Sequence, residues 1–329
     1  MLLFDNTVYF ISDENASCYS RVAPFHPHQK YPEYPFSEID EQPNWGYELI
    51  RRLFICMELD KNNFGTRSWN PLSQFIKPGQ FAILKPNFVT HYNWSSRSGL
   101  TDTDSLVTNG SIIRAILDYL YIAMKGTGKV LITDCPVQSA DWSKIQELAG
   151  LVEIENFFAQ FNFKCESKDG RLVNKLITDT CSTSNRSSEK HKNNYINIDL
   201  GSDSLLHSLR KDFKKFSVSC YDQKIMRHTH NETNNLYLVL ADIFCADFII
   251  NIPKLKTHPK AGLSGSLKNL VGIIGHKDCL PHFRKGSAML SGSDEFPGDG
   301  YLERFFWNIK HKEWEANKVL QKRIFYFLS

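Results

Sequence analysis

Two hydrophobic periods alternate along this chain. Trp45 to Glu58 carries Leu49, Ile50, Leu53, Phe54 and Met57 at helical spacing. Ser111 to Met124 does the same with Ile113, Ile116, Leu117, Leu120 and Met124. Thr108, Asn109 or Ser111 is placed to cap that second helix, and Gly126-Thr-Gly128 to stop it. Short apolar or β-branched runs predict buried strands at Phe81–Leu84, Lys129–Ile132 and Phe248–Ile252. Pro253 ends the last ladder, because proline has no N–H to donate. Strand, helix and strand over 81–132 form a β–α–β unit, so the two strands should be parallel.

The remaining pattern is more mixed. Asp141 to Phe163 predicts helix with a break near Gly150, and Tyr237 to Ala246 predicts a helix feeding the 248–252 strand. Leu172–Ile177 and Tyr195–Leu200 read as two strands of a hairpin around the polar insertion 179–194. Leu267 to Ile274 reads as a helix or a tight helical turn. Thr7–Ile11 is strand-like, and the prolines that follow, with His26-Pro-His28, predict irregular chain. Residues 286–300 are Gly- and Ser-rich loop, and Tyr301–Phe327 is charged and aromatic with helical character. The fold class expected is α/β: a mostly parallel sheet with flanking helices, a hairpin insertion and an irregular C-terminal part. The domain division expected is an extension over 1–78 packed on the core, a core over 79–285, and a C-terminal segment over 286–329.

Composition narrows the function classes. An apolar fraction of 42% over 329 residues gives a sizeable core, and a net charge of +3 argues against dedicated nucleic-acid binding. No eighteen-residue apolar run predicts a membrane span, and Asp5 interrupts the apolar start that a secretory signal would need. These features predict a cytoplasmic protein. None of the eight cysteines forms a CxxC pair, so there is no zinc-ribbon or iron–sulfur motif. Cys56 and Cys245 read as helix-core residues, while Cys135 and Cys279 flank the candidate site.

Chemistry concentrates where strands end. Lys85 and Asn87 follow the first strand, Asp134 and Cys135 the second, and Lys254, Lys256 and His258 the third. In a parallel sheet those ends share the edge where α/β proteins build ligand sites. Lysines and Asn87 suit a small anionic ligand such as a phosphate or carboxylate, and His258 suits proton transfer. Gly262, Ser264 and Gly265 form a turn whose N–H groups can face an anion, with Lys268 and Asn269 lining the floor. The same turn also reads as a plain helix entry, since it lacks the full phosphate-loop pattern. His258, His276 and His282 are separated by eighteen and six residues and read either as a metal set or as surface histidines, with Arg227-His-Thr-His230 as a further contributor or an exposed turn.

The strand ends Leu84-Lys-Pro-Asn87 and Asp134-Cys-Pro136, the block Ala246–His258, and the run Gly262-Leu-Ser-Gly-Ser-Leu-Lys-Asn-Leu270 together resemble the proteins of domain of unknown function 362 (DUF362), over roughly 80–290. The continuation His276-Lys-Asp-Cys-Leu-Pro-His282 resembles a branch found with surface-polysaccharide genes. Many family members carry an iron–sulfur module, and this chain has no cysteines for one. Members also continue into a further acidic, Gly-rich segment with a strand and helix, and this chain lacks it, so the resemblance implies a truncated member. Locally, the order His258, Lys268, His282 is similar to nickel-pincer lactate racemases. That likeness implies His258 as acid/base, Lys268 as the lysine tethering the nicotinic-acid-derived cofactor, and His282 as a nickel ligand, although the racemase's proline-rich continuation is missing.

The expected function is an enzyme acting on an anionic small molecule, with His258 and Lys268 as its catalytic groups. Two alternatives stand beside it: a non-catalytic binding or assembly protein of a surface-polysaccharide pathway, and a nickel- and cofactor-dependent racemase-like enzyme. No cofactor and no oligomeric state follows from the residues alone.

Overall fold

The computed structural model describes residues 7–93, 103–177, 182–186, 194–218, 223–258 and 262–284. In chain order the elements are α1 (Trp45–Cys56), β1 (Phe81–Pro86), α2 (Gly110–Met124), β2 (Lys129–Asp134), α3 (Trp142–Leu148), α4 (Leu151–Ala159) and β3 (Lys164–Asp169). There follow β4 (Val173–Ile177), β5 (Ser182–Arg186), β6 (Tyr195–Asp199), β7 (Phe216–Ser217), α5 (Gln223–Thr229), β8 (Leu236–Leu240) and α6 (Asp242–Cys245). The last are β9 (Phe248–Ile252), β10 (Lys256–His258), β11 (Gly262–Ser264), α7 (Ser266–Asn269) and β12 (Phe283–Arg284). The fold is α/β, and the chain divides into two compact units. The first draws on Met1–Asp134, Asp141–Asp169 and Cys245–Lys254, and the second on Cys135–Ala140, Gly170–Phe244 and Leu255–Ser329.

A four-stranded, all-parallel sheet in the order β3-β2-β1-β9 forms the centre of the first unit. Leu84 of β1 stands opposite Ile132 of β2 on one side and Ile250 of β9 on the other. Every residue of β1 is buried, as a strand flanked by two others and covered on its faces requires. Ile83 and Leu84 are each 0% exposed, and burial of a side chain of this size contributes ~1.5–3 kcal/mol. Helix α2 supplies Ile113, Leu117, Leu120 and Met124 to the same core. Asn109 caps α2 by accepting the Ser111 N–H at 2.9 Å, as its side chain suits. Gly110 cannot carry a side chain: a Cβ there would lie 2.1 Å from the Ala149 carbonyl oxygen. The break between α3 and α4 falls at Gly150, which takes φ +57°.

One polar cluster sits inside this unit. The Arg114 guanidinium is fully buried on α2, pairs with Asp118 one turn on at 2.8 Å, and donates to the Pro24 carbonyl at 2.8 Å. It also lies 3.9 Å from the centre of the Phe157 ring. Beside it, burial and the Arg114 charge hold the His26 imidazole down to about 4, and burial pushes the Asp40 carboxyl up to about 6.

The second unit is built from short antiparallel pairs: β4 with β5, β6 with β8, β7 with β12, and β10 with β11. Phe216, Val218 and Met226 form a small core, with Leu206, Leu209 and Phe213 packed against it. The last three line one side of a 3-10 helix over His207–Lys215 and its approach.

Several expectations change. Residues 236–240 are strand β8 rather than helix, because Leu-Tyr-Leu-Val-Leu finds a strand partner in β6; only Asp242–Cys245 is helical. Leu172–Ile177 and Tyr195–Leu200 do not form a hairpin with each other. Val173–Ile177 pairs with Ser182–Arg186 from inside the expected polar loop, and Tyr195–Asp199 pairs with β8. Thr7–Ile11 forms no strand, and Val8 and Phe10 are exposed. Strand β9 is only part-buried rather than a buried strand, and among the described residues it stands at the end of the sheet order. Cys56 and Cys245 are exposed, whereas Cys135 and Cys279 are buried. The C-terminal loop and helix expected over 286–329 lie outside the described residues. No helix among the described residues is long and apolar enough to cross a membrane.

Candidate functional site

In the first unit the parallel register brings the ends of β1, β2 and β9 to one edge of the sheet. Lys85 and Asp134 meet there, with Nζ 2.7 Å from Oδ1 and side chains 1% and 4% exposed. Lys85 also donates to the Pro86 carbonyl at 2.8 Å, and Asp134 Oδ2 accepts the Phe88 N–H at 2.6 Å. Two residues selected as ligand contacts therefore satisfy one another. An anion approaching Lys85 would compete with a carboxylate already in place.

Asn87 is buried and tied to Thr108. Its N–H donates to Thr108 Oγ1 at 2.9 Å, and its carbonyl accepts the Thr108 N–H at 3.0 Å. Thr108 Oγ1 in turn donates to the Ile252 carbonyl at 2.8 Å, so one hydroxyl joins the ends of β1 and β9. The sequence marked Thr108 only as a helix cap, and its bridging role has no local signal. Lys254 donates to the Tyr19 hydroxyl at 2.8 Å and lies 4.6 Å from the centre of that ring. Tyr19 belongs to the irregular N-terminal chain and was not singled out by the sequence.

In the second unit, β10 and β11 form a tight antiparallel pair with Lys256 opposite Ser264 and His258 opposite Gly262. Residues two apart share a face of a strand, so Lys256 and His258 stand side by side. Gly262 turns the chain at φ +69°, a conformation that favours glycine. Gly265 then leads into α7, and Asn269 is buried with its N–H on the Gly265 carbonyl at 3.0 Å. Helix α7 is a single turn continued by a 3-10 turn over Leu270–Ile273. So short a helix contributes little dipole to an anion site.

That turn places Lys268 against His258: its Nζ contacts the imidazole Nε2. Lys268 is exposed as a residue, yet partial burial lowers its pKa. Two basic groups in contact cannot both hold their full complement of protons, because one must supply the lone pair of the hydrogen bond.

The other histidines are placed separately. His276 is half-buried at the start of a 3-10 turn over Lys277–Cys279, and His282 is exposed with its N–H on the Ser217 carbonyl at 2.9 Å. His230 is fully buried rather than in an exposed turn. Its Nε2 lies 2.6 Å from the Cys279 carbonyl, and burial lowers its pKa. Among the described residues, no three His, Cys, Asp or Glu side chains gather into a group that could hold a metal ion.

A family model described as domain of unknown function (DUF362) matches residues 164–326. No curated protein and no solved structure matches the chain. The matched span begins at β3 and contains Lys254, Lys256, the β10–β11 pair, Lys268 and both His276 and His282. Lys85, Asn87 and Asp134 precede it, and nothing in the comparisons speaks for the racemase likeness. Through residues 164–326 this chain belongs to the DUF362 family.

Proposed function

We propose that this DUF362 protein is an enzyme acting on a small anionic molecule, with the His258–Lys268 pair as its reactive centre. The observation that carries the proposal is the contact between those two basic groups on one hairpin and its following turn. Partial burial already draws down the proton affinity of Lys268. A lysine and a histidine sharing protons supply an acid and a base in one place, the combination that proton transfer near neutral pH requires. Lys256, on the same strand face as His258, is the group to hold a carboxylate or phosphate.

The test has two stages. Titration calorimetry with inorganic phosphate and with simple hydroxy and keto acids should show binding to the intact chain. Lys256→Ala should weaken that binding about tenfold, the scale of one charge-assisted hydrogen bond. Incubation of the bound acid in deuterium oxide should then introduce deuterium next to its carboxylate, and His258→Ala should stop this while the melting temperature holds. Isotherms indistinguishable between the intact chain and Lys256→Ala would remove the anion site. Binding without exchange would leave a binding protein rather than an enzyme.

A further inference from the structure

Chain from near the N-terminus lies against the end of β9 in the first unit. Lys254, two residues beyond the strand, donates to the Tyr19 hydroxyl at 2.8 Å, with the ring centre 4.6 Å from its ammonium. Two positions on, Arg21 pairs with Asp104 through both terminal guanidinium nitrogens, one of them at 3.2 Å. Asp104 lies in the turn that leads to Thr108, whose hydroxyl holds the Ile252 carbonyl, so both contacts fall beside the same strand end. At the other end of this segment Asp13 accepts from Arg52 of α1 at 2.6 Å and closes a turn on the Asn15 N–H at 2.9 Å.

The segment is held lightly. No residue from 8 to 22 is buried. The Arg21 and Asp104 side chains are 69% and 30% exposed, and an exposed ion pair shifts an equilibrium by about fivefold or less. Chain with little buried surface and exposed polar contacts opens at low cost. Firm attachment begins just beyond it. Arg114 holds the Pro24 carbonyl at 2.8 Å, Phe25 is 4% exposed, and Asn44 donates to the Phe25 carbonyl at 3.0 Å. Residues 22–24 therefore form the hinge.

The two lysines at this edge are matched differently. Lys85 meets the carboxylate of Asp134. Among the described residues Lys254 meets the hydroxyl and ring of Tyr19 and no carboxylate. An ammonium bonds an oxyanion more strongly than a hydroxyl, because both members then carry charge. We propose that residues 13–21 are a displaceable cover on the Lys254 end of the sheet, with the Tyr19 hydroxyl standing where a ligand oxygen binds. A small oxyanion takes Lys254 from Tyr19, and the cover lifts about residues 22–24. Tyr19 thereby sets a threshold: only a ligand that bonds Lys254 better than a phenol does gains the site. This reading does not rest on the His258–Lys268 pair, whose own tests are Lys256→Ala and deuterium uptake.

The test uses the full chain with inorganic phosphate and with succinate, at constant ionic strength. Titration calorimetry should show binding of at least one of them that Lys254→Ala abolishes. Tyr19→Phe should tighten that binding by about threefold to tenfold, the scale of the one hydrogen bond it no longer competes with. Arg21→Ala, which touches neither Lys254 nor Tyr19, should tighten it by about twofold to fivefold through loss of the tether to Asp104. Hydrogen-exchange mass spectrometry should show residues 13–21 exchanging faster when the anion is bound, with residues 25–44 unchanged. Weaker binding in Tyr19→Phe, or slower exchange of 13–21 with the anion, overturns the proposal, because Tyr19 would then clamp the ligand rather than yield to it. Binding indifferent to Lys254→Ala and Tyr19→Phe overturns it, as does failure of both anions to bind either the intact chain or Tyr19→Phe.

Discussion

Removing the carboxylate of Asp134 isolates a buried charge, and the cost can be worked from the geometry. Lys85 Nζ and Asp134 Oδ1 are 2.7 Å apart with both side chains almost wholly buried. At an effective dielectric of about 20 their attraction is ~6 kcal/mol, most of it offset by the loss of water around two ions. Asp134→Asn leaves the ammonium without that offset. The amide has one oxygen to give, and the Phe88 N–H and Lys85 both claim it. Loss of one partner of a buried pair should cost about 3–5 kcal/mol. For a unit of this size that lowers the melting temperature by roughly 6–20 °C. Lys85→Met should cost a similar amount, by leaving the carboxylate buried. The double variant Lys85→Met/Asp134→Asn should cost less than the two singles together, by at least ~1 kcal/mol, because neither charge remains. Urea unfolding followed by circular dichroism on all four proteins closes the cycle. Single losses under ~1 kcal/mol, or additivity within about 0.5 kcal/mol, would refute the view that this pair is coupled and dry.

Other perturbations test other parts of the first unit. His26 is held below its usual range, to about 4, first by burial and then by Arg114. Its contribution to stability is therefore complete above pH 6.5 and lost as pH falls toward 4; Asp40, raised to about 6 by burial, acts in the opposite sense. His26→Gln should flatten the acid side of a stability-versus-pH curve measured by urea titration, and an unchanged slope between pH 6.5 and 4 would count against it. Gly110→Ala should destabilise by about 3 kcal/mol or more, because the new methyl meets the Ala149 carbonyl and the Phe25 ring; a normal melting temperature would contradict that packing. Thr108→Val keeps the shape but removes the hydroxyl between Asn87 and Ile252, and should cost about 1–3 kcal/mol in denaturant titration. A neutral result there would mean that the ends of β1 and β9 are held by their ladder alone.

The sequence was most readable where periodicity was long. Helices α1 and α2 and strands β1 and β2 followed from their apolar spacing, and the break between α3 and α4 followed from Gly150. Strand β8 was misread because its five apolar residues run straight into the single turn of α6, and together they match the length of a short helix. The pairing of β6 with β8 joins residues about 40 apart, which no local pattern encodes. At the candidate site, the nearness of His258 to Lys268 was legible because only a hairpin and one helical turn separate them in sequence. The sequence also named Lys85 and Asp134, but as contacts for a ligand rather than for each other. Tyr19, which holds Lys254 from 235 positions away, left no trace in the sequence around the lysine.

The order of strands in the central sheet has a consequence for synthesis. Ribosomes release β1, β2 and β3 first, and β9 follows only after about 80 further residues. At 5–20 residues per second that interval lasts roughly 4–16 s. Throughout it the β9-facing side of β1 has no partner, although every residue of β1 is buried in the finished fold. A nascent chain halted between Asp169 and Phe248 therefore displays an uncovered apolar strand, the kind of surface that chaperones bind and that aggregates propagate. Completion of the sheet waits on late-arriving chain, which makes translation speed through residues 170–247 a determinant of how much protein folds.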